Sequence, residues 1–135
     1  MIYQLTVHIE TPIHDTELDN QVVDAVTNLF PKVETTQTAG QLVGETHSLD
    51  SFADQLREQE ILDTARREFT RTADADGFHF SLKKQAALMN VVNFAVGSSD
   101  ELGEITVEVT VVEPSVDDVI DHIAPPTEDG EPLQQ

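Results

Sequence analysis

The chain has 135 residues, the length of a single domain that can bury a core without disulfides or a structural metal. It contains no cysteine, so disulfides, thiolate metal sites and cysteine nucleophiles are excluded. Its formal net charge of −19 ordinarily argues against nucleic acid or an anionic membrane as the partner.

The acidic composition has a second interpretation. Three lysines against 26 Asp and Glu residues, with many Thr and Val, are typical of a protein from a salt-loving archaeon. In molar salt the Debye length falls to about 3 Å, so a negative net charge no longer prevents the binding of an anionic ligand. We favour this interpretation over a generic acidic protein, because the acids are spread over a globular pattern instead of forming a tail.

The sequence shows no targeting signal and no membrane-spanning segment. Residues 1–10 lack the basic and apolar regions of a signal peptide. No apolar stretch approaches the roughly 18 residues that a membrane span needs. The sequence therefore predicts a soluble, cytoplasmic protein with no membrane partner.

The first third of the chain predicts a strand, a helix and a hairpin. Residues 2–10 alternate apolar and polar side chains, as a strand with one buried face does. A helix is predicted to begin at Asp15 and Thr16, either of which can cap its free N–H groups, and to end before Pro31. Two short segments then flank an Ala-Gly pair and predict a β-hairpin, namely residues 33–38 and 42–47.

Residues 49–71 resemble one long helix, but their apolar side chains change phase. At about 100° per residue, the apolar face of residues 49–56 is offset by about 160° from that of residues 62–69. One straight helix cannot bury both faces against one sheet. The sequence therefore predicts two helices, with a break or sharp bend between Arg57 and Glu60.

The next elements are a strand and a short helix. Residues 78–83 alternate around two phenylalanines and predict a half-buried strand, and residues 85–89 predict a short helix after it. Residues 91–96 are apolar and are predicted to be buried, whereas residues 97–100 predict a loop.

The last ordered elements are another strand and another helix. Residues 104–112 alternate as cleanly as the first strand, and Pro114 and Ser115 begin a last short helix. Two consecutive prolines then end the ordered region. The predicted organisation is one domain over residues 1–124 and a flexible acidic tail over residues 125–135.

Together these elements predict an α+β fold with two layers. A mainly antiparallel sheet of 4–5 strands forms one layer, and helices cover one of its faces. The other face would carry polar and acidic side chains, and would either meet solvent or pair with another chain. Those side chains belong to Gln4, Thr6, His8, Glu10, Glu104, Thr106, Glu108 and Thr110.

The basic residues are concentrated in one part of the chain. Six of the seven Lys and Arg residues lie within residues 57–84, the basic window, together with six acids. This window is therefore neutral, while the rest of the chain has Lys32 as its one base against 20 acids.

Two interpretations of the basic window remain open. In the first it binds an anion, because Lys83 and Lys84 end a strand where a helix begins, and free N–H groups converge with their ammonium groups there. Arg57, at the predicted break, and Arg66, beside the apolar stripe of the next helix, would add to this surface. In the second interpretation the bases form internal salt bridges with acids of the same window, namely Glu58, Asp63 and Glu68.

No catalytic or metal-binding motif is found. Residues 74–77 begin like a calcium loop, but Thr72 and Lys83 would occupy ligand positions that require carboxylates. The acids of residues 117–122 do not match zinc-ligand spacing and fit a solvated helix face. Phosphate loops and nucleophile elbows are also missing. The sequence therefore predicts a protein that is not an enzyme and that holds no cofactor and no metal.

Several short segments, taken in order, resemble an archaeal family of uncharacterised proteins. They are the helix end at Pro31, Leu56-Arg57-x-Gln59-x-Ile61-Leu62-Asp63-x-Ala65-Arg66, Phe80-x-Leu82-x-Lys84-Gln85-Ala86-Ala87, Val92-Asn93-Phe94 and Leu102-Gly103-x-Ile105. The family is uncharacterised protein family 0201, and the resemblance extends over nearly the whole chain, to about Pro126. No single segment is specific, but the ordered set is.

The resemblance implies a fold similar to that of ribosomal protein L-five, a homodimer, and non-catalytic binding of structured RNA. The candidate RNA-binding residues are then Arg57, Gln59, Arg66, Lys83, Lys84, Gln85 and Asn93. The alternative is a dimeric protein-interaction or scaffold module, in which the bases form structural salt bridges.

Overall fold

Five antiparallel strands form the sheet of the computed structural model, which describes residues 3–95, 104–128 and 131–132. They are β1 (Gln4–Pro12), β2 (Glu34–Thr38), β3 (Gln41–Thr46), β4 (Gly77–Lys83) and β5 (Glu104–Glu113). Their order across the sheet is β2-β3-β1-β5-β4, with each neighbouring pair antiparallel. The predicted hairpin is the β2–β3 pair, and its turn contains Gly40 with a φ of 74°. The predicted loop over residues 97–100 lies outside the described residues.

Helices cover one face of this sheet, as the predicted α+β fold requires. They are α1 (Asp19–Leu29), α2 (Asp50–Glu58), α3 (Leu62–Thr72), α4 (Lys84–Leu88) and α5 (Val116–Ile123). Helices α3 and α4 contact β4, α5 contacts β5, and α1 packs against α4. Ser115 caps α5 by accepting a hydrogen bond from the Asp118 N–H at 3.1 Å, at the predicted helix start.

All six phenylalanines of the chain are buried between the helices and the sheet. Phe69 of α3 lies at the centre, with ring centroids 5.0 Å from Phe78, 4.9 Å from Phe80 and 5.9 Å from Phe94. Phe52 of α2 stacks on Phe80 at 5.4 Å. Because a buried phenylalanine contributes about 1.5–3 kcal/mol, this cluster fixes α2 and α3 against β4.

The predicted break between Arg57 and Glu60 is confirmed. Helix α2 ends at Glu58, α3 begins at Leu62, and Glu60 between them has a φ of 59°. The Ile61 N–H donates to the Leu56 carbonyl at 3.1 Å, which closes the end of α2. The change of direction lets both apolar stripes face the core, and Leu56 and Ala65 are each 0% exposed.

Helix α1 starts later than the sequence predicted. It begins at Asp19, and neither Asp15 nor Thr16 caps it, because residues 15–17 form a turn before the helix. Glu17, expected in the first helical turn, is directed inwards and binds the Lys84 ammonium group. The prediction of an Asp15–Thr16 cap was therefore wrong, and Glu17 makes a long-range ion pair instead of lying in the first helical turn.

The face of the sheet away from the helices is polar, as predicted, and we call it the open face. The strand register aligns Glu34, Glu45, His8, Glu108 and His79 in one row across all five strands. His8 also contacts Glu10 on the same strand, with Nε2 3.0 Å from Oε1. This row makes the open face predominantly acidic.

The turn before β4 is a plain turn, as the sequence favoured over a calcium loop. Asp74 Oδ1 accepts hydrogen bonds from the N–H groups of Asp76 at 2.8 Å and Gly77 at 2.9 Å. These two backbone hydrogen bonds hold the pKa of the Asp74 carboxyl below its usual range. The Asp74 carboxylate therefore stabilises the turn through hydrogen bonds to its backbone.

The predicted flexible tail contains two short paired strands, β6 (Thr127–Glu128) and β7 (Glu131–Pro132). The Thr127 hydroxyl donates to the Asp63 carboxylate of α3. This contact places the start of the tail beside α3.

Candidate nucleic-acid interface

The structure divides the seven candidate residues into two groups. Gln59, Lys83 and Asn93 converge on residues 90–95, which we call the edge segment, and Arg57 lies in the last turn of α2 beside Gln59. Arg66 and Lys84 are engaged elsewhere, and Gln85 is exposed on α4, which begins directly after Lys83.

The edge segment runs antiparallel to β4 and covers the outer edge of the sheet. The Lys83 N–H donates to the Asn93 carbonyl at 2.8 Å, and the Ala95 N–H donates to the Ser81 carbonyl at 2.9 Å. Between these bonds Leu82 and Phe94 form an isolated β-bridge. Val92 and Phe94 are buried, as predicted for this segment, but Val91 and Asn93 are exposed. The pairing leaves less unpaired edge on β4.

Gln59 holds the edge segment through both ends of its side-chain amide. Its Nε2 donates to the Val92 carbonyl at 2.9 Å, and its Oε1 accepts from the Val92 N–H at 2.9 Å. Gln55, one turn earlier, donates to the Asn90 carbonyl at 2.6 Å. The Gln59 amide is thus committed to the backbone, and the residue positions its neighbours instead of presenting free groups to a ligand.

Replacing Gln59 by leucine should destabilise the protein by about 1–3 kcal/mol, because the N–H and C=O of Val92 lose their partners. The measurement is urea unfolding together with hydrogen exchange of the Val92 amide, which should become faster. Gln85→Leu is the matched control, because Gln85 is exposed and should change stability by less than about 0.5 kcal/mol. Equal stability of the two variants would contradict the positioning role.

Lys84 is buried and is not presented to a ligand at the surface. Its side chain is 0% exposed, and Nζ lies 3.0 Å from Glu17 Oε1 and 2.6 Å from the Pro12 carbonyl. The expected convergence of the two lysines does not occur, because Lys83 and Lys84 are consecutive and point to different sides. Lys84 instead joins the start of α4 to the end of β1 and the turn before α1.

Arg66 and Arg71 are also paired, and only one of them follows the second sequence interpretation. Arg71 Nη2 contacts Glu68 Oε1 at 2.9 Å, within the basic window as that interpretation expected. Arg66 Nη1 instead contacts Asp121 Oδ1 at 2.7 Å and donates to the Ala124 carbonyl at 3.0 Å. Arg66 therefore fastens α3 to the end of α5, which is far away in sequence.

Four other bases make no ion pair within the described part of the chain. They are Lys32, Arg57, Arg67 and Lys83. Arg57 and Arg67 are exposed and Lys83 is half-buried. Lys83 and the exposed Asn93 meet at the edge segment through their backbones, and Arg57 lies two residues before Gln59, which binds the same segment. Arg57, Lys83 and Asn93 form, with the exposed Gln85 of α4, the set that we call the edge surface.

A second polar feature, a cavity of about 580 Å³, was not recognised from the sequence. It lies between the ends of β1 and β3 and helix α5, and its lining includes Tyr3, Lys32, His47 and His122. Tyr3 and His122 stack with ring centroids 4.6 Å apart. Lys32 was visible in the sequence as the lone base outside the basic window, but nothing indicated that these four residues would meet.

The acidic and histidine side chains of the described residues lack the groupings that metal sites require. They include no group of three or more His, Asp or Glu residues that could hold a metal ion. Asp118 is hydrogen-bonded to Ser115 and Asp121 is paired with Arg66, so this acidic helix face is engaged in local contacts. In the same ranges, none of the helices is long and apolar enough to cross a membrane.

Comparison with known sequences identifies relatives along nearly the whole chain. It is 38% identical to the UPF0201 protein of Methanopyrus kandleri over 142 residues, covering 94% of this chain and 89% of that protein. It is 35% identical over 130 residues to a UPF0200/UPF0201 protein of Archaeoglobus fulgidus, covering 96% of this chain. The chain spans only 40% of that second, longer relative.

A solved structure shares the fold. The crystal structure of a UPF0201 protein from Methanococcus jannaschii superposes with a TM-score of 0.89 at 32% identity, covering 96% of this chain and 99% of that one. A family model described as RNA binding matches residues 6–111, which is most of the domain. The chain is therefore a member of the archaeal UPF0201 family and of the protein family whose model is described as RNA binding.

Proposed function

We propose that this protein is a non-catalytic RNA-binding protein and that the edge surface contacts the RNA backbone. The observation that carries the proposal is that Arg57 and Lys83 make no ion pair among the described residues, and that the backbone of Lys83 binds the edge segment. Unpaired bases on an acidic protein are available to phosphate oxygens. The description of the matching family model supports the same ligand class.

The roles within the edge surface differ. Arg57 and Lys83 contact phosphates, and the side chains of Gln85 and Asn93 supply polar contacts to sugars or base edges. Gln59 acts indirectly by holding the edge segment in place. Lys84 and Arg66 stabilise the fold, and they leave the proposed set of direct contacts because their charges are used internally.

The predictions of localisation, oligomeric state, source and fold similarity that were made from the sequence are part of this proposal. We take the protein to be cytoplasmic, homodimeric and from a halophile, with a fold similar to that of ribosomal protein L-five over residues 1–124. The dominance of acids on the open face favours a high-salt environment, because repulsion within the row of Glu34, Glu45 and Glu108 is then screened.

The test is RNA capture by the immobilised protein in about 2–3 M KCl, where charge repulsion is screened over short distances. Total RNA from a halophilic archaeon is passed over the wild type and over the Arg57→Ala/Lys83→Ala variant, and the retained RNA is sequenced. A retained RNA is then titrated by fluorescence anisotropy between about 0.5 and 3 M KCl. We expect the double variant to bind at least about 150-fold more weakly, since each of the two lost contacts to a charged group contributes about 1.5–3 kcal/mol.

The salt dependence gives an independent readout. Each phosphate contact contributes about 0.7–0.9 to the slope of log K against log salt, so the double variant should lose about 1.4–1.8. Arg67→Ala is the matched control, because it removes one exposed arginine of α3 that makes no ion pair among the described residues. The proposal is wrong if folded wild-type protein retains no RNA, or if the double variant binds as the control does.

The alternative function is a dimeric interaction or scaffold module. It is favoured by the fact that Arg66, Arg71 and Lys84, half of the bases in the basic window, form internal salt bridges. A folded protein that retains no RNA but sediments as a dimer and co-purifies with another protein would support this alternative.

A further inference from the structure

Three cavities on the described surface meet at His47 and form one groove. The 580 Å³ cavity shares Tyr3 and Leu5 with a neighbouring cavity of about 350 Å³. It shares Lys32 and Ser48 with a third of about 290 Å³, and His47 lines all three. We call this depression the His47 groove. Its size is in the range of sites for small molecules and single nucleotides.

One wall of the His47 groove is aromatic. Tyr3 and His122 stack with an interplanar angle of 28°, and the pair lies beside Leu5, Val119 and Ile123. His122 is exposed and Tyr3 is half-buried, so the pair can be extended by another flat ring. A nucleobase on such a platform gains stacking contacts that do not depend on its identity.

Lys32 supplies the positive charge that a phosphate group of the ligand requires. It is the one lysine or arginine outside the basic window, and it makes no ion pair among the described residues. His47 lies beside it with Nδ1 3.1 Å from the Leu5 carbonyl, which can only accept, so Nδ1 carries the hydrogen. The groove therefore offers an ammonium group, without an ion pair among the described residues, next to an imidazole fixed by the Leu5 carbonyl.

The groove also contains acidic side chains, which restrict the kinds of ligand that it can bind. Asp50 lines the 580 Å³ cavity, and Glu45 Oε2 lies 3.7 Å from His47 Nε2. These carboxylates oppose a small, highly charged anion, but they can accept hydrogen bonds from the amino and imino groups of a base. The ligand that fits should have one flat ring with donors and one phosphate.

From these features we infer that the His47 groove binds one unpaired nucleotide of an RNA. Its base stacks on the Tyr3–His122 pair and its phosphate lies at Lys32. The inference rests on the proposed RNA-binding function and adds a ligand class and a second contact region to it. Sequence-specific recognition of RNA usually targets unpaired loops and bulges, whose bases can be extruded onto aromatic side chains.

The groove has a built-in reporter. The chain has one tyrosine and no tryptophan, so its intrinsic fluorescence comes from Tyr3 alone. A base that stacks on the Tyr3–His122 pair should quench this fluorescence in a saturable way. The probes are the four 5′-nucleoside monophosphates and a single-stranded oligonucleotide of each base, with free N-acetyltyrosinamide correcting for absorption by the nucleotides.

Three variants and one control test the contacts. His122→Ala should weaken oligonucleotide binding roughly 5- to 150-fold, the range for loss of one stacked base, whereas His122→Phe should retain binding. Lys32→Ala should lower the slope of log K against log salt by about 0.7. Arg67→Ala, which removes one positive charge outside the groove, should leave both the quenching and the affinity as in the wild type.

The outcomes separate this inference from the proposed function. If anisotropy shows RNA binding but Tyr3 fluorescence does not respond, the groove is not the site and the edge surface stands. If no RNA binds but a nucleoside monophosphate quenches Tyr3 in a Lys32-dependent way, the groove is a nucleotide site and the RNA proposal is wrong. Saturable quenching that is equal in wild type, Lys32→Ala and His122→Ala would overturn the inference.

Discussion

Replacing Lys84 by alanine should lower the free energy of unfolding by about 3–5 kcal/mol, the usual cost of removing one partner of a buried ion pair. Lys84 is 0% exposed and Glu17 is 7% exposed, and their charged atoms are 3.0 Å apart. Without the ammonium group, the buried Glu17 carboxylate loses its positive partner, and the Pro12 carbonyl loses a hydrogen-bond donor at 2.6 Å. Lys84→Ala therefore removes a buried ion pair and a hydrogen bond to the backbone in one substitution.

A double-mutant cycle separates the ion pair from simple packing. Lys84→Met should destabilise the protein nearly as much as Lys84→Ala, because the methionine fills the space but leaves the Glu17 carboxylate without its cation, with the His14 N–H as its remaining hydrogen-bond donor. Lys84→Met combined with Glu17→Leu should recover much of the loss, since replacing both members of a buried pair by apolar side chains is often neutral or stabilising. Lys83→Ala is the neighbouring control and should change stability by less than about 0.5 kcal/mol.

The measurement is urea unfolding in about 2 M KCl, followed by far-UV circular dichroism. High salt weakens exposed ion pairs far more than buried ones, so the effect of Lys84→Ala should persist there. A loss of less than about 1 kcal/mol, as for an exposed pair, would show that Lys84 is solvated in solution. The result also bears on RNA binding, because lost binding in a Lys84 variant would report unfolding and not a missing phosphate contact.

Local pattern predicted the secondary structure well, because its signals are carried by neighbouring residues. The break between α2 and α3 followed from the phase of the apolar stripes alone, and the structure places Glu60 there with a positive φ. The alternation of β1 and β5 likewise predicted which side chains line the open face. Such predictions succeed wherever one buried face dictates the period.

The partners of the charged side chains could not be predicted in the same way. Lys84 and Glu17 are 67 residues apart, and the sequence contains 26 acids among which its partner could be chosen. The local choice, an acid inside the basic window, was right for Arg71 and wrong for Arg66, whose partner is on α5. Charge pairing depends on tertiary placement, and Glu17, predicted to lie in the first turn of α1, binds Lys84 before that helix begins.

The candidate site shows the same limit. The match to the family pattern made Gln59 a candidate RNA-binding residue, but only the structure shows that its amide binds the backbone of Val92. The Tyr3–His122 pair of the His47 groove joins the two ends of the domain. Neither residue stands in a local motif, so sequence reasoning had no signal for that groove.

Replacing Gly77 by alanine should destabilise the protein by about 3 kcal/mol, at the upper end for overpacking a tight site. A Cβ built on Gly77 would overlap the Val109 carbonyl oxygen and would lie 2.9 Å from its carbon and 3.2 Å from Thr110 Cα. These atoms are backbone of β5, in the middle of the sheet, so they cannot rotate away as a side chain could.

The clash would also disturb the turn that starts β4. Gly77 donates to Asp74 Oδ1 at 2.9 Å, its carbonyl accepts from the Asp74 N–H at 2.9 Å, and the Val111 N–H donates to the Asp76 carbonyl at 2.8 Å. Moving Gly77 away from β5 strains all three bonds. Hydrogen exchange of the Val111 amide should therefore accelerate in Gly77→Ala along with the fall in urea midpoint.

Gly40→Ala is the informative comparison. No atom lies within 4 Å of a Cβ built there, but its φ of 74° costs an alanine about 1–2 kcal/mol. Gly77→Ala should therefore be more destabilising than Gly40→Ala, because its effect comes from a steric clash with the backbone of β5 and not from the backbone conformation of the glycine. If the two variants lose equal stability, or if Gly77→Ala is the milder, β4 and β5 have room to separate at this point. In that case the close contact at Gly77 would not be what sets the β4–β5 register, which extends to Lys83 beside the edge segment.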